Sequence, residues 1–216
     1  MELFKIVLSI HILSGSIGLL LGSFVLLKQK GNKIHKQLGR IFAIAMIVTG
    51  LSAFVISYLH PNLFLFIVGV FTVYLTATGY RMIALKKIHL GQEPQFIDYI
   101  LTISMLIASI GFLYIGIRNV VNGNNFGIVL CLFGSISFKL CLVDSRNYKG
   151  KNTDKLAWLK NHIGRMTGSY MAAFTAFLVV NNRYLPDLVA WILPTVIGTF
   201  FIFISIKKLS TQSYNK

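Results

Sequence analysis

The chain has 216 residues, 55% of them hydrophobic and only 12% charged, with a mean hydropathy of +0.71. A soluble domain carries roughly twice that share of charge, so the composition excludes a water-soluble globule and indicates a polytopic membrane protein. The formal net charge of +15 would suit nucleic acid, but the basic residues lie between apolar blocks, where topology signals sit, and that distribution excludes it.

Seven apolar blocks predict seven membrane helices in an all-α bundle, at about 4–27, 40–59, 63–85, 96–117, 126–143, 163–181 and 188–206. The first reads as a retained helix rather than a signal peptide: it carries Glu2 and one Lys5, no small-x-small cleavage site follows, and it is long enough to span. It holds His11 within the hydrocarbon, and Ser14, Gly18 and Gly22 four residues apart on one face. Such a strip lets two backbones approach closely, so it reads as a packing face. An intramembrane histidine is a functional candidate by default, although a neutral imidazole also serves as a hydrogen bond between helices.

A basic loop follows, with Lys28, Lys30, Lys33 and Lys36, then His35 and Arg40 at the step into the second block. His60 closes that block before Pro61. Arg81 falls near the end of the third block and Asp98 near the start of the fourth. Arg81 can snorkel, but a carboxylate is too short to do so, and an ion pair of Asp98 with Arg81 or Lys139 is expected. The fifth block holds Cys131 and Cys141, ten residues apart, or ~15 Å along a helix, too far to bridge. A polar loop, about 144–162, contains "DSRNYKGKNTDK". The sixth block opens on "NHIGRMTGSYMAAFTAF", with His162, Arg165 and a second small-residue strip of Gly164, Gly168, Ala172 and Ala176. His162 and Arg165 read as side chains among lipid head groups at the membrane surface. Whether the partner across that strip is the second helix, bringing His35 beside His162, is left open by spacing alone.

Lysine and arginine alternate by loop. Sixteen lie in the first, third and fifth loops with their flanks and in the tail (Lys207, Lys208, Lys216); Lys5, Arg118 and Arg183 lie opposite. The positive-inside rule then puts the N-terminus outside and the C-terminus in the cytoplasm of a plasma membrane, with a bacterial inner membrane expected. The basic loops should meet phospholipid head groups.

The step "HKQLGR" (35–40), after a glycine-rich first span containing His11, resembles a family of bacterial predicted membrane proteins catalogued as domain of unknown function 2306. The likeness is best over the first half; the later "NHIGR" has His-x-Gly-Arg in place of His-x-x-x-Gly-Arg. The resemblance implies no established activity, and that His11, His35 and Arg40 match family positions; a single integral membrane domain over 1–216 is expected because the longest loop, about 144–162, leaves no room for a soluble one.

No nucleophile–base pair, phosphate loop or nucleotide fingerprint points to an enzyme. Small-molecule or ion handling through the bundle is favoured, with His11, His35, Arg40, Arg81, Asp98, His162 and Arg165 as candidates. One alternative is a b-type haem electron carrier with His11/His60 and His35/His162 as ligand pairs. Against it, His35 and His60 are 25 residues apart, ~37 Å on a helix, beyond a hydrocarbon core of about 30 Å. Another is an accessory subunit or homo-oligomer docked by the small-residue faces. A metal would require His35, His89 and His162 to converge.

Overall fold

In the computed structural model, which describes residues 2–214 and side chains through 211, the chain is all-helical. The seven long helices are α1 (Glu2–Leu27), α2 (Lys33–Leu59), α3 (Leu63–Arg81), α4 (Phe96–Val121), α5 (Phe126–Tyr148), α6 (Ala157–Asn181) and α7 (Asp187–Tyr214), with a short 3-10 turn at Ile88–Leu90. All seven are long and apolar enough to cross a membrane. Lys216, one of the tail lysines, lies outside the described residues.

Several helices run past the apolar blocks that predict them. α2 begins at Lys33 rather than 40, α5 continues to Tyr148 rather than 143, and α6 begins at Ala157 rather than 163. Local chemistry explains the extensions. Asn32 caps α2 by accepting from the His35 amide at 2.7 Å, and Asn62 caps α3 through the Leu65 amide at 3.1 Å. α5 stops at Gly150, whose φ of 65° is the left-handed turn that glycine enters without strain. The polar loop between α5 and α6 is therefore about 149–156, and Asp144 and His162 are helical residues.

Neighbouring helices in sequence are mostly neighbours in space. α1 lies on α2, α2 on α3, α4 on α5 and α6 on α7, while α3 also packs on α6 and stands at the centre. Close contacts follow small residues. Gly18 meets Met46, and Gly22 lies under Tyr170 and Phe42, so the α1 strip faces α2 and α6. Gly168 meets Leu75 of α3, with a Cβ there 3.2 Å from Leu75 Cδ1, and Gly164 lies loosely near Ile202 of α7. The partner across the α6 strip is thus chiefly α3, not α2.

The bundle is apolar outside and mixed inside. Large aliphatic and aromatic side chains are exposed on every long helix, the surface a bilayer requires. Buried hydroxyls return to their own helix: Thr76 donates to the Thr72 carbonyl at 2.7 Å, Thr78 to Tyr74 at 2.6 Å and Ser137 to Phe133 at 2.7 Å. The two ends differ. Where α3, α5 and α7 begin, Trp191 collects Phe64, Phe126 and Phe133 at ring distances of 4.6, 5.6 and 6.1 Å. At the other end, beside the lysine-rich loops, the interior is polar.

Candidate functional site

The polar interior is built by four helices. Asp144 sits one turn before the end of α5 and Arg165 two turns into α6. Both are fully buried, at 0% and 1% exposure, and they form a two-stranded ion pair, with Arg165 Nη1 at 3.1 Å from Asp144 Oδ2 and Nη2 on Oδ1. α3 adds Tyr74, whose hydroxyl donates to Asp144 Oδ2 at 2.6 Å and whose ring lies 5.4 Å from the guanidinium carbon. α4 adds Thr102, which reaches the same oxygen at 3.1 Å and the Tyr148 hydroxyl at 3.4 Å. Cys141 lies in the same layer, its thiol 3.6 Å from the Thr102 carbonyl.

A second ion pair stands beside the first. Arg81, on the last turn of α3, donates Nε and Nη2 to the two oxygens of Asp98, each at 2.8 Å. Asp98 is 1% exposed and the Arg81 side chain 23%. The carboxylate also accepts from the Gln95 amide at 2.9 Å, closing a capping box at the start of α4. Thr102, one turn along α4, stands between the two pairs: its single hydroxyl proton has the Asp98 backbone carbonyl at 3.0 Å as the alternative acceptor to Asp144.

The placement of Arg165 corrects one expectation. It is not among lipid head groups: a guanidinium two turns inside a helix of the bundle needs a counter-charge, and Asp144 is within reach on α5. Lys139 is exposed on the outer face of α5 and takes no part. Arg40 is exposed as well.

The histidines separate by role. His11 turns Nδ1 to the Thr49 carbonyl and the Ser52 hydroxyl, both at 3.0 Å, tying α1 to α2. His60 is exposed and packs on Phe4 at 4.1 Å. About 10 Å of helical rise separates Phe4 from His11, so His11 and His60 are not brought face to face. His162 donates Nδ1–H to the Gly79 carbonyl at 2.8 Å, fixing α6 on α3. His35 lies within electrostatic reach of His162 and of Lys30. Lys30 itself caps α1, reaching the Val25 and Leu26 carbonyls at 2.6 Å, and burial lowers the pKa of its amine. Among the described residues, no three His, Cys, Asp or Glu side chains gather as a metal ion would require, and His35, His89 and His162 form no such group.

Asp144, Tyr74, Thr102 and Tyr148, with Asn147 buried three residues beyond Asp144 on α5, are site residues that sequence reasoning passes over. One signal was available. Cys141, Asp144 and Tyr148 fall at i, i+3 and i+7, a single helical face, which argues for a helix running through the segment assigned to a loop. Tyr74 and Thr102 carry no such mark, because a hydroxyl in an apolar run looks like any other.

The chain belongs to a family described as predicted membrane protein (DUF2306), whose model matches residues 8–138. The match takes in α1 to most of α5, with His11, His35, Arg40, Tyr74, Arg81, Asp98 and Thr102; Asp144, Asn147 and Arg165 lie beyond it. No curated protein and no solved structure matches the chain.

Proposed function

We propose that this membrane protein handles a small molecule or ion through its helix bundle, with the Asp144–Arg165 pair as the working centre. The observation that carries the reading is that a carboxylate and a guanidinium lie fully buried between membrane helices, joined by Tyr74 and Thr102. Such a pair contributes little net stability compared with apolar side chains of similar volume, so packing alone gives no reason for it. Charged groups inside membrane bundles mark substrate and ion pathways. The arrangement is one-sided, with polar groups toward the lysine-rich loops and the Trp191 aromatic cluster at the opposite end. By the positive-inside rule the polar end faces the cytoplasm of a plasma membrane, a bacterial inner membrane, with the N-terminus outside.

The test is solute flux into proteoliposomes containing the purified chain. We expect flux above protein-free vesicles, abolished in the double variant Asp144→Asn with Arg165→Met, provided that variant still elutes as a folded species. Flux no greater than that of empty vesicles across cations, anions and neutral solutes overturns the reading.

A further inference from the structure

The buried polar atoms left without partners all lie at the lysine-rich end. Among the described residues they are His35 Nδ1, His89 Nδ1, Asn147 Nδ2 and Arg165 Nε. Arg165 and Asn147 are each 1% exposed. Arg165 gives one N–H from each terminal nitrogen to Asp144, and its Nε–H has no partner. Asn147 lies three residues beyond Asp144 on α5, and its oxygen accepts from Asn152 at 2.7 Å, which leaves the NH2 as its free edge. Both are donors with no acceptor, in surroundings where an unmet donor is costly.

The acceptors of the same region are committed. Asp98 is held by Arg81, Asp144 by Arg165, and in the adjoining loop Asp154 by Lys160. No carboxylate of the buried network is therefore free to ligate a cation. The same end of the bundle carries Lys28 and Lys30 between α1 and α2, Lys33 and Lys36 on the first turn of α2, and Lys149, Lys151 and Lys155 in the α5–α6 loop. A surface of one sign raises the local concentration of the opposite ion. Guanidinium and amide donors in a low-dielectric site suit the oxygens of a carboxylate or phosphate.

We infer that the ligand of this bundle is an oxyanion, bound by Arg165 Nε–H and the Asn147 side-chain amide beside the Asp144–Arg165 pair. The inference rests on the handling function proposed above and names its substrate class. The same oxygen chemistry is offered by a free anion and by an anionic lipid head group.

The discriminating variant is Asn147→Asp. It keeps the shape and the acceptor for Asn152 and replaces only the free donor edge with an oxygen that repels an anion. In phosphatidylcholine proteoliposomes, flux of sodium acetate or sodium phosphate should fall at least about tenfold in Asn147→Asp, the loss of one hydrogen bond to a charged group. A thermal-shift series on the detergent-solubilised protein runs beside it, using phosphate, acetate and chloride at equal ionic strength. Wild type should be raised most by phosphate or acetate, and Asn147→Asp should not respond. If Asn147→Asp does not fold, Asn147→Leu and Asn147→Gln replace it, with Leu expected to lose the response and Gln to retain part of it.

Stabilisation by phosphatidylglycerol over phosphatidylcholine, lost in Asn147→Asp and without anion flux, would keep the oxyanion site, identify its source as lipid and overturn the handling function. Flux of sodium or potassium without acetate or phosphate flux, and no anion stabilisation, would overturn the oxyanion and leave the handling function standing. No flux and no stabilisation overturns both.

Discussion

Removing the Asp144 carboxylate leaves Arg165 an unpaired cation inside the bundle, with Tyr74 and Thr102 still aimed at the vacated charge. Breaking one partner of a buried pair costs about 3–5 kcal/mol in soluble proteins, whereas replacing both with groups of like volume is often neutral. Asp144→Asn and Arg165→Met should therefore each lower the unfolding midpoint in detergent, and the double variant should recover most of the loss. A double variant no better than the worse single would show that the pair is not coupled. Asp154 supplies a second prediction at this scale, outside the membrane. Burial alone would push its carboxyl up, but the bonds from Lys160 and the Leu156 amide outweigh burial and hold it below its ordinary value of 3.8. A depressed carboxyl stabilises above its unfolded pKa, and that contribution is lost as pH falls through the lower folded value. The Asp154 carboxylate should thus stay charged between about pH 5 and 8, and its contribution should be lost only in stronger acid. A carboxyl NMR titration of Asp154 checks it, and a midpoint above that of an unstructured aspartate would reverse the sign.

At the scale of the element, the small residues predict unequal tolerance. An added Cβ at Gly79 would lie 2.9 Å from Arg165 Cβ and 3.2 Å from the Met166 amide nitrogen, so α3 and α6 would have to part just where His162 and Arg165 are held. At Gly127 it would meet the Gly116 carbonyl at 2.5 Å and the Val120 amide at 2.6 Å, wedging α5 from α4. At Gly164 the nearest atom is Ile202 Cγ2 at 3.8 Å, an ordinary contact. Gly79→Ala and Gly127→Ala should lower the thermal midpoint clearly, by an overpacking cost of about 1–3 kcal/mol, while Gly164→Ala should be close to neutral; equal shifts at all three would sink the ranking. The four-residue spacing makes the α1 and α6 strips legible in sequence, because it is local. It does not reveal that Gly164 and Gly168 meet different helices, nor that Gly79, Gly116 and Gly127 make tighter contacts than either, because those depend on which helices cross. Apolar blocks likewise mark the spans well but not their ends. Past the last apolar residue a helix is prolonged by caps, as at Asn32, or by pairing of polar side chains within the bundle, as at Asp144. Periodicity over 141–148 is the trace such an extension leaves in the sequence.

Over the whole molecule the asymmetry of the bundle matters more than any one side chain. The polar layer draws on α3, α4, α5 and α6, and the aromatic cluster on α3, α5 and α7. The Asp144–Arg165 layer and the Trp191 layer therefore share α3 and α5, with Phe71, three residues before Tyr74 on α3, meeting Phe133 of the Trp191 cluster at 5.0 Å. On the proposed function, a solute that reaches Arg165 from the lysine-rich end meets the packed rings of the Trp191 layer before it can leave at the other. The Trp191 layer should then behave as the barrier and the charged layer as the selective element. Trp191→Ala removes one side of three edge-to-face ring contacts and should raise passive solute flux in proteoliposomes while preserving discrimination among solutes, since Arg165 and Asn147 are untouched. Asn147→Asp in the same background should lower oxyanion flux without restoring the barrier. If Trp191→Ala instead abolished discrimination and left the rate unchanged, the barrier and the selective element would have to change places, and the polar layer would be the gate.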